Sequence, residues 1–167
     1  NASKTDLLGV PEEILREPLV IRVSDSTLEN LGPWTFDQQT LADLLIIERA
    51  ETDNGEAFIV RLDENALYNF ISPLAPGLQQ AAENTRFIFN DDTRQLDVIE
   101  HAVIGRELLV QESIEHINTQ LRSGIHSVNL VFDYVNPEIT DDVTAAELGI
   151  TELVSSNTSY FRGSDSA

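Results

Sequence analysis

Three histidines, His101, His116 and His126, are the side chains best suited to hold a metal or move a proton near neutral pH. They fall on different predicted elements and share no paired ligand spacing. His116 sits inside a helical stretch between Ile114 and Ile117, and His126 opens a strand. Surface or strand-end imidazoles account for all three. Carboxylates abound, with 29 acidic residues, and Asp91-Asp92 is the pair that invites a calcium or hydrolase reading. An EF-hand needs oxygen ligands at alternating positions, then glycine and a distant glutamate, and "NDDTRQLDVIEH" lacks that order. As part of Asn90-Asp91-Asp92 the pair suits a hairpin turn. Asn54-Gly55 in "ETDNGEAF" is likewise a turn before a strand. The chain has no cysteine, which excludes disulfides and thiolate sites. Its isolated glycines form no nucleophile elbow, phosphate loop or dinucleotide fingerprint. These residues predict no catalytic centre, no metal and no cofactor.

Weaker candidates for contact with a ligand remain. Trp34 and Tyr134 could stack on sugar rings, although both lie in predicted strands where packing would explain them equally well. Arg86, Arg94 and Arg106 are the basic residues closest together in sequence and could form a local patch for an anion. The wider charge restricts what such a patch could serve. With 10 basic residues and a net charge of −19, the chain repels polyphosphate, and no lysine or arginine cluster offsets this. Nucleic acid is therefore excluded as a partner, and an anionic membrane surface is disfavoured for the same reason. No apolar run reaches the roughly 20 residues that span a bilayer, so no direct membrane insertion is expected.

The elements that must carry these residues recur in one pattern. "GPWTFDQQTLADLL" reads as a strand, then Asp37, then an amphipathic stretch through Leu41, Leu44 and Leu45. "AFIVRLDENALYNFI" repeats it, with a strand over 57–62, Asp63, and Ala66, Leu67, Phe70 and Ile71 on one helical face. In both, the aspartate stands where its oxygen can accept from free amides of the first turn. "RELLVQESIEHINTQLRSG" supplies a third helix, ending near Gly124, a suitable left-handed cap. "PLVIRVSD" is a strand entered through Pro18. "TRFIFNDDTRQLDVIE" is a hairpin, and "HSVNLVFDYVNP" is a half-buried strand that Pro137 ends. Pro73, Pro76 and Gly77 interrupt the second helix or bend its exit. A last helical turn in "ITDDVTAAELGI" would be capped by Thr140 or Asp141. The sum is an α+β fold, with one mostly antiparallel sheet and about three short helices packed on it. An apolar share of 41% over 167 residues is enough for a core.

The order of "GPWTFDQQTLADLL", "VRLDENALYNFISPLA" and "NTRFIFNDDTRQLDVIEHAVIGRELLVQESIEHINTQLRSGIHSVNLVFDYVNPEIT" resembles a bacterial family. It is similar to the proposed peptidoglycan-binding domain of envelope proteins, found beside VanW-type domains and ahead of L,D-transpeptidase catalytic domains. The resemblance covers about Pro18 to Ile150. Its most distinctive parts are the "NTRFIFND" strand, a Gly105-Arg106 turn before the third helix, and "VNPEIT". Leu109 departs from it, standing where the family often has a capping aspartate. The resemblance divides the chain into an N-terminal extension (1–17), the domain (18–150) and the truncated start of a VanW-type module (151–167). Thr158 to Ser164 would then be that module's first strand and turn, with the aromatic pair Tyr160-Phe161 inside it. Residues 11–17 suggest a short helix beginning at Pro11. The chain has no methionine, so it is expected to be a piece of a longer protein, with Asn1-Ala2 a possible cloning remnant.

The resemblance implies a non-catalytic module outside the cytoplasm, in the cell envelope, anchored through a segment not included here. It carries no catalytic residues over. Peptidoglycan would be the ligand and the adjacent VanW-type module the neighbour. The alternative is a structural spacer or protein–protein interaction domain that positions that module.

Overall fold

The computed structural model describes residues 6–24, 31–52 and 55–152. Asp37 and Asp63 both do what their placement predicts. After strand β2 (Trp34–Phe36), the Asp37 carboxylate accepts from the Thr40 amide at 2.8 Å and opens helix α2 (Gln38–Leu44). The Thr40 amide, and then the Thr40 hydroxyl, hold the Asp37 carboxyl below its ordinary range. After strand β4 (Gly55–Leu62), Asp63 accepts from the Asn65 amide at 2.8 Å and the Ala66 amide at 3.3 Å, opening α3 (Glu64–Ile71). The exit of α3 tightens into a 3-10 turn (Ser72–Leu74) and a short α4 (Ala75–Leu78), where Pro73 and Pro76 break the continuous ladder.

The third unit runs from strand β7 (Gly105–Leu108) into α5 (Val110–Arg122), the longest helix described. Leu109 caps it without a side-chain bond, and the helix is held instead by its apolar stripe of Ile114, Ile117 and Leu121, all buried. Its end is a Schellman motif. The Ile125 amide donates to the Gln120 carbonyl at 2.9 Å, the Gly124 amide donates to that of Leu121 at 2.9 Å, and Gly124 has φ +76°. Gly105 is part of a strand and not a turn, contrary to expectation. A Cβ there would meet the Ala82 backbone nitrogen at 2.7 Å, so the site demands close backbone approach.

The class is α+β, as expected, but among the described residues the strands form four small sheets and not one. Strand β1 (Leu19–Arg22) pairs antiparallel with β2 and parallel with β8 (Ser127–Asn129). Strand β3 (Leu45–Thr52), unforeseen in the sequence, pairs with β4 from Leu45↔Leu62 to Thr52↔Gly55. Strands β5 (Arg86–Asn90) and β6 (Gln95–Glu100) form the expected hairpin. Strand β9 (Phe132–Val135) pairs with β7. The long strand expected over residues 126–135 is thus two strands with different partners. The switch occurs where the Leu130 amide donates to the Arg22 carbonyl at 2.9 Å and the Val131 amide to Ser113 Oγ at 2.9 Å.

Two compact units result. Unit 1 takes the residues up to Gln80 together with Arg106–Tyr134; unit 2 takes Ala81–Gly105 and the residues from Val135 on. The core of unit 1 gathers Leu19, Ile21, Leu41, Leu62, Leu67, Ile71, Ile114, Ile117, Leu121 and Val128. The segment expected as an extension belongs to this unit. Helix α1 (Asp6–Leu15) begins before Pro11, which lies inside it, because Val10, Ile14 and Leu15 pack on the core. His126 fastens it, with its ring nitrogens 3.1 Å from the Ile14 carbonyl and 3.2 Å from that of Gly124. Among the described residues no helix is long and apolar enough to cross a membrane. The Asn54-Gly55 turn, which includes Asn54, and the expected strand at Thr158–Ser164 lie outside the described residues.

Candidate functional site

The β5–β6 hairpin turns through residues 91–94. Asn90 Oδ1 accepts from the Asp92 amide at 3.1 Å and the Thr93 amide at 3.2 Å, so this side chain shapes the turn, as its residue type predicts. Arg94 closes the turn at φ +57°, a left-handed conformation that a non-glycine residue adopts at a cost. Its guanidinium reaches the Thr151 carbonyl. Beside it opens a cleft of about 320 Å³, lined on one wall by Arg94, Gln95 and Leu96 and on the other by the stretch Val143–Ala146.

That second wall is a capped helical turn. Thr144 Oγ1 accepts from the Glu147 amide at 3.3 Å, and the Glu147 carboxylate accepts from the Thr144 amide at 2.8 Å. The same amide, and then the Thr144 hydroxyl, lower the Glu147 pKa. Gly149, at φ +69°, ends the turn, and the Ile150 amide returns to the Ala145 carbonyl at 2.8 Å. The expected caps, Thr140 and Asp141, are employed elsewhere. Thr140 bonds the Asp142 carboxylate. Asp141 accepts from the Ala102 amide at 2.7 Å and from the Thr85 hydroxyl at 2.5 Å, and it faces His101 Nδ1 at 2.7 Å. These bonds, the Ala102 amide foremost, pull its carboxyl down to about 2.

The His101–Asp141 pair has the look of a base and its orienting acid, but its geometry is that of a tie. The hydroxyl on this carboxylate belongs to Thr85 and donates to Asp141, not to the ring. The tie joins three separate stretches of unit 2, assisted by the Thr85 amide on the Ile139 carbonyl at 3.0 Å. Among the described residues, no group of three or more His, Cys, Asp or Glu side chains converges as a metal site would require.

The other sequence candidates are dispersed. Arg86 stands at the far end of the hairpin from Arg94, in an exposed ion pair with Glu100 at 2.8 Å. Arg106 Nε donates to the Leu78 carbonyl at 2.9 Å in unit 1. Each of the three arginines has its own engagement. Trp34 is half-buried, edge-on to Phe70 at 6.2 Å, with Phe36 against the same ring at 4.8 Å. It packs on the core. Tyr134 is about half exposed on β9, 6.2 Å from Phe132. Of these candidates, Arg94 lines the cleft described above, with polar and small apolar neighbours. The turn that presents it was readable from Asn90, whereas residues 143–146 gave no sign of facing it.

The chain matches no protein-family model and no curated protein. Two solved structures are similar in fold. One is a mutant of the L,D-transpeptidase of Enterococcus faecium, at 9% identity and a TM-score of 0.44, covering 77% of this chain and 46% of that one. The other is the Ldtfm–avibactam carbamoyl enzyme, at 8% identity and a TM-score of 0.45, covering 78% of this chain and 46% of that one. The chain spans somewhat less than half the length of either.

Proposed function

We propose that this chain is a non-catalytic cell-envelope module that binds peptidoglycan outside the cytoplasm, next to a VanW-type module in its parent protein. The observation that carries the reading is the Arg94 cleft, which supplies a cation beside small apolar side chains in an otherwise acidic chain. A guanidinium with donors to spare suits a carboxylate, and Leu96, Val143, Ala145 and Ala146 suit small side chains next to it. Stem peptides of the wall offer both. The ordered resemblance over Pro18 to Ile150 supports the choice of ligand class.

Titrating soluble stem peptides into the isotopically labelled protein tests this reading. Amide shifts should be concentrated at residues 94–96 and 143–146, and Arg94→Gln should weaken binding about tenfold, the loss typical of one charge-assisted bond. Shifts that avoid both stretches, or an Arg94→Gln variant that binds as wild type does, would remove the cleft from the account.

A further inference from the structure

Unit 1 contains a second cleft, of about 240 Å³, lined by Arg61, Glu64, Glu115, Asn118, Thr119 and Arg122. Four of these come from α5 at spacings of three and four, which places them along one helical face. Asn118 is buried and bonded at both ends of its amide, since its Oδ1 accepts from the Leu62 amide at 2.7 Å and its Nδ2 donates to the Leu62 carbonyl at 3.4 Å. It fixes the cleft floor by pinning α5 to the end of β4. Arg61 is also spoken for, 3.0 Å from Glu48 and 3.0 Å from Glu64.

Two opposite charges are left over. Among the described residues, Glu115 makes no ion pair or side-chain hydrogen bond, and Arg122 reaches only the Thr119 hydroxyl, at 3.5 Å. Glu115 and Arg122 stand two helical turns apart, about 10 Å along the axis, and no ion pair joins them. A molecule bridging them must be cationic at one end and anionic at the other, over the roughly 7–10 Å that two or three extended residues span.

We infer that this cleft binds a short peptide with both termini free, its ammonium on Glu115 and its carboxylate on Arg122. The Thr119 hydroxyl, midway on the same face, is placed for the intervening amide. A zwitterion carries no net charge, so the −19 of the chain does not repel it, whereas a simple anion would be repelled. Two arginines against two glutamates leave the cleft itself neutral by formal count, which favours neither a pure cation nor a pure anion. The site is in the other unit from Arg94 and does not depend on the wall-binding reading.

Isothermal titration of the full 167-residue chain with dialanine, N-acetyl-dialanine, dialanine amide and free alanine tests the inference. Dialanine should saturate, and blocking either terminus should weaken binding at least about tenfold. Free alanine, whose charges are too close together to reach both ends, should also bind more weakly. Glu115→Gln should abolish discrimination against the acetylated peptide, and Arg122→Gln discrimination against the amide. Arg94→Gln should change nothing, so this result is separable from that of the stem-peptide titration. No saturable heat with dialanine would overturn the inference. Equal affinity for free and blocked peptides would do the same, as would unchanged discrimination in both cleft variants.

Discussion

Arg94 combines two properties that one substitution can separate. Its left-handed backbone costs a non-glycine residue roughly 1–2 kcal/mol, part of which glycine gives back through greater unfolded-state freedom. Arg94→Gly should therefore unfold within about 1 kcal/mol of wild type, or slightly above it, in thermal melts, while stem-peptide binding falls. Asp141 gives a second prediction, read in pH. Its folded pKa of about 2 lies below the ordinary 3.8, so the native state holds the charged form better than the unfolded chain does. The stabilisation is whole above pH 4 and is lost as pH falls from about 4 through about 2. Acid unfolding followed by circular dichroism should show Asp141→Asn less stable at pH 5 and converging on wild type towards pH 2. A constant gap across that range would contradict the assignment. Arg94 stood in the sequence only as one of three arginines that could form a local patch for an anion, and the role of Asp141 was not legible there. Asp141 looked like a helix cap, because its partners Thr85, His101 and Ala102 lie 39 to 56 residues away.

The helices were the readable part of the fold. Asp37 and Asp63 each follow a strand and precede apolar residues at three- and four-residue intervals, and local chemistry alone then determines where α2 and α3 begin. Strand β3 escaped notice because Leu44-Leu45-Ile46-Ile47 continues the apolar run of α2 with no breaker between them. Strand β7 escaped because Gly105 suggests a turn, and only the approach of Ala82 explains the glycine. Asn118 is the sharpest omission. A polar residue in mid-helix gives no sequence signal, yet its amide reproduces a strand's paired bonds to Leu62 and closes the end of β4. Replacing it with alanine strands a buried backbone amide, which costs about 1–3 kcal/mol. Urea unfolding of Asn118→Ala should show a loss of that size with an unchanged slope. A loss below about 0.5 kcal/mol would mean that Leu62 finds another partner.

For the chain as a whole, charge is the controlling quantity. A net −19 opposes long-range attraction to wall carboxylates or phosphates, so the proposed binding would have to be local and short-ranged. Salt should then strengthen it slightly by screening repulsion, the reverse of an ordinary basic wall binder. The α+β class and the order of helices were legible in the sequence. The division into two units was not, because unit 2 is built from stretches separated by most of β7, all of α5 and β8, and most of β9. Co-sedimentation with purified insoluble peptidoglycan, intact or stripped of its peptides by an amidase, tests the central claim most directly. The account predicts retention on intact wall that persists or rises modestly from low to physiological salt, and loss of retention on stripped wall. Absence of retention on intact wall at any salt, or equal retention on stripped wall, would contradict it.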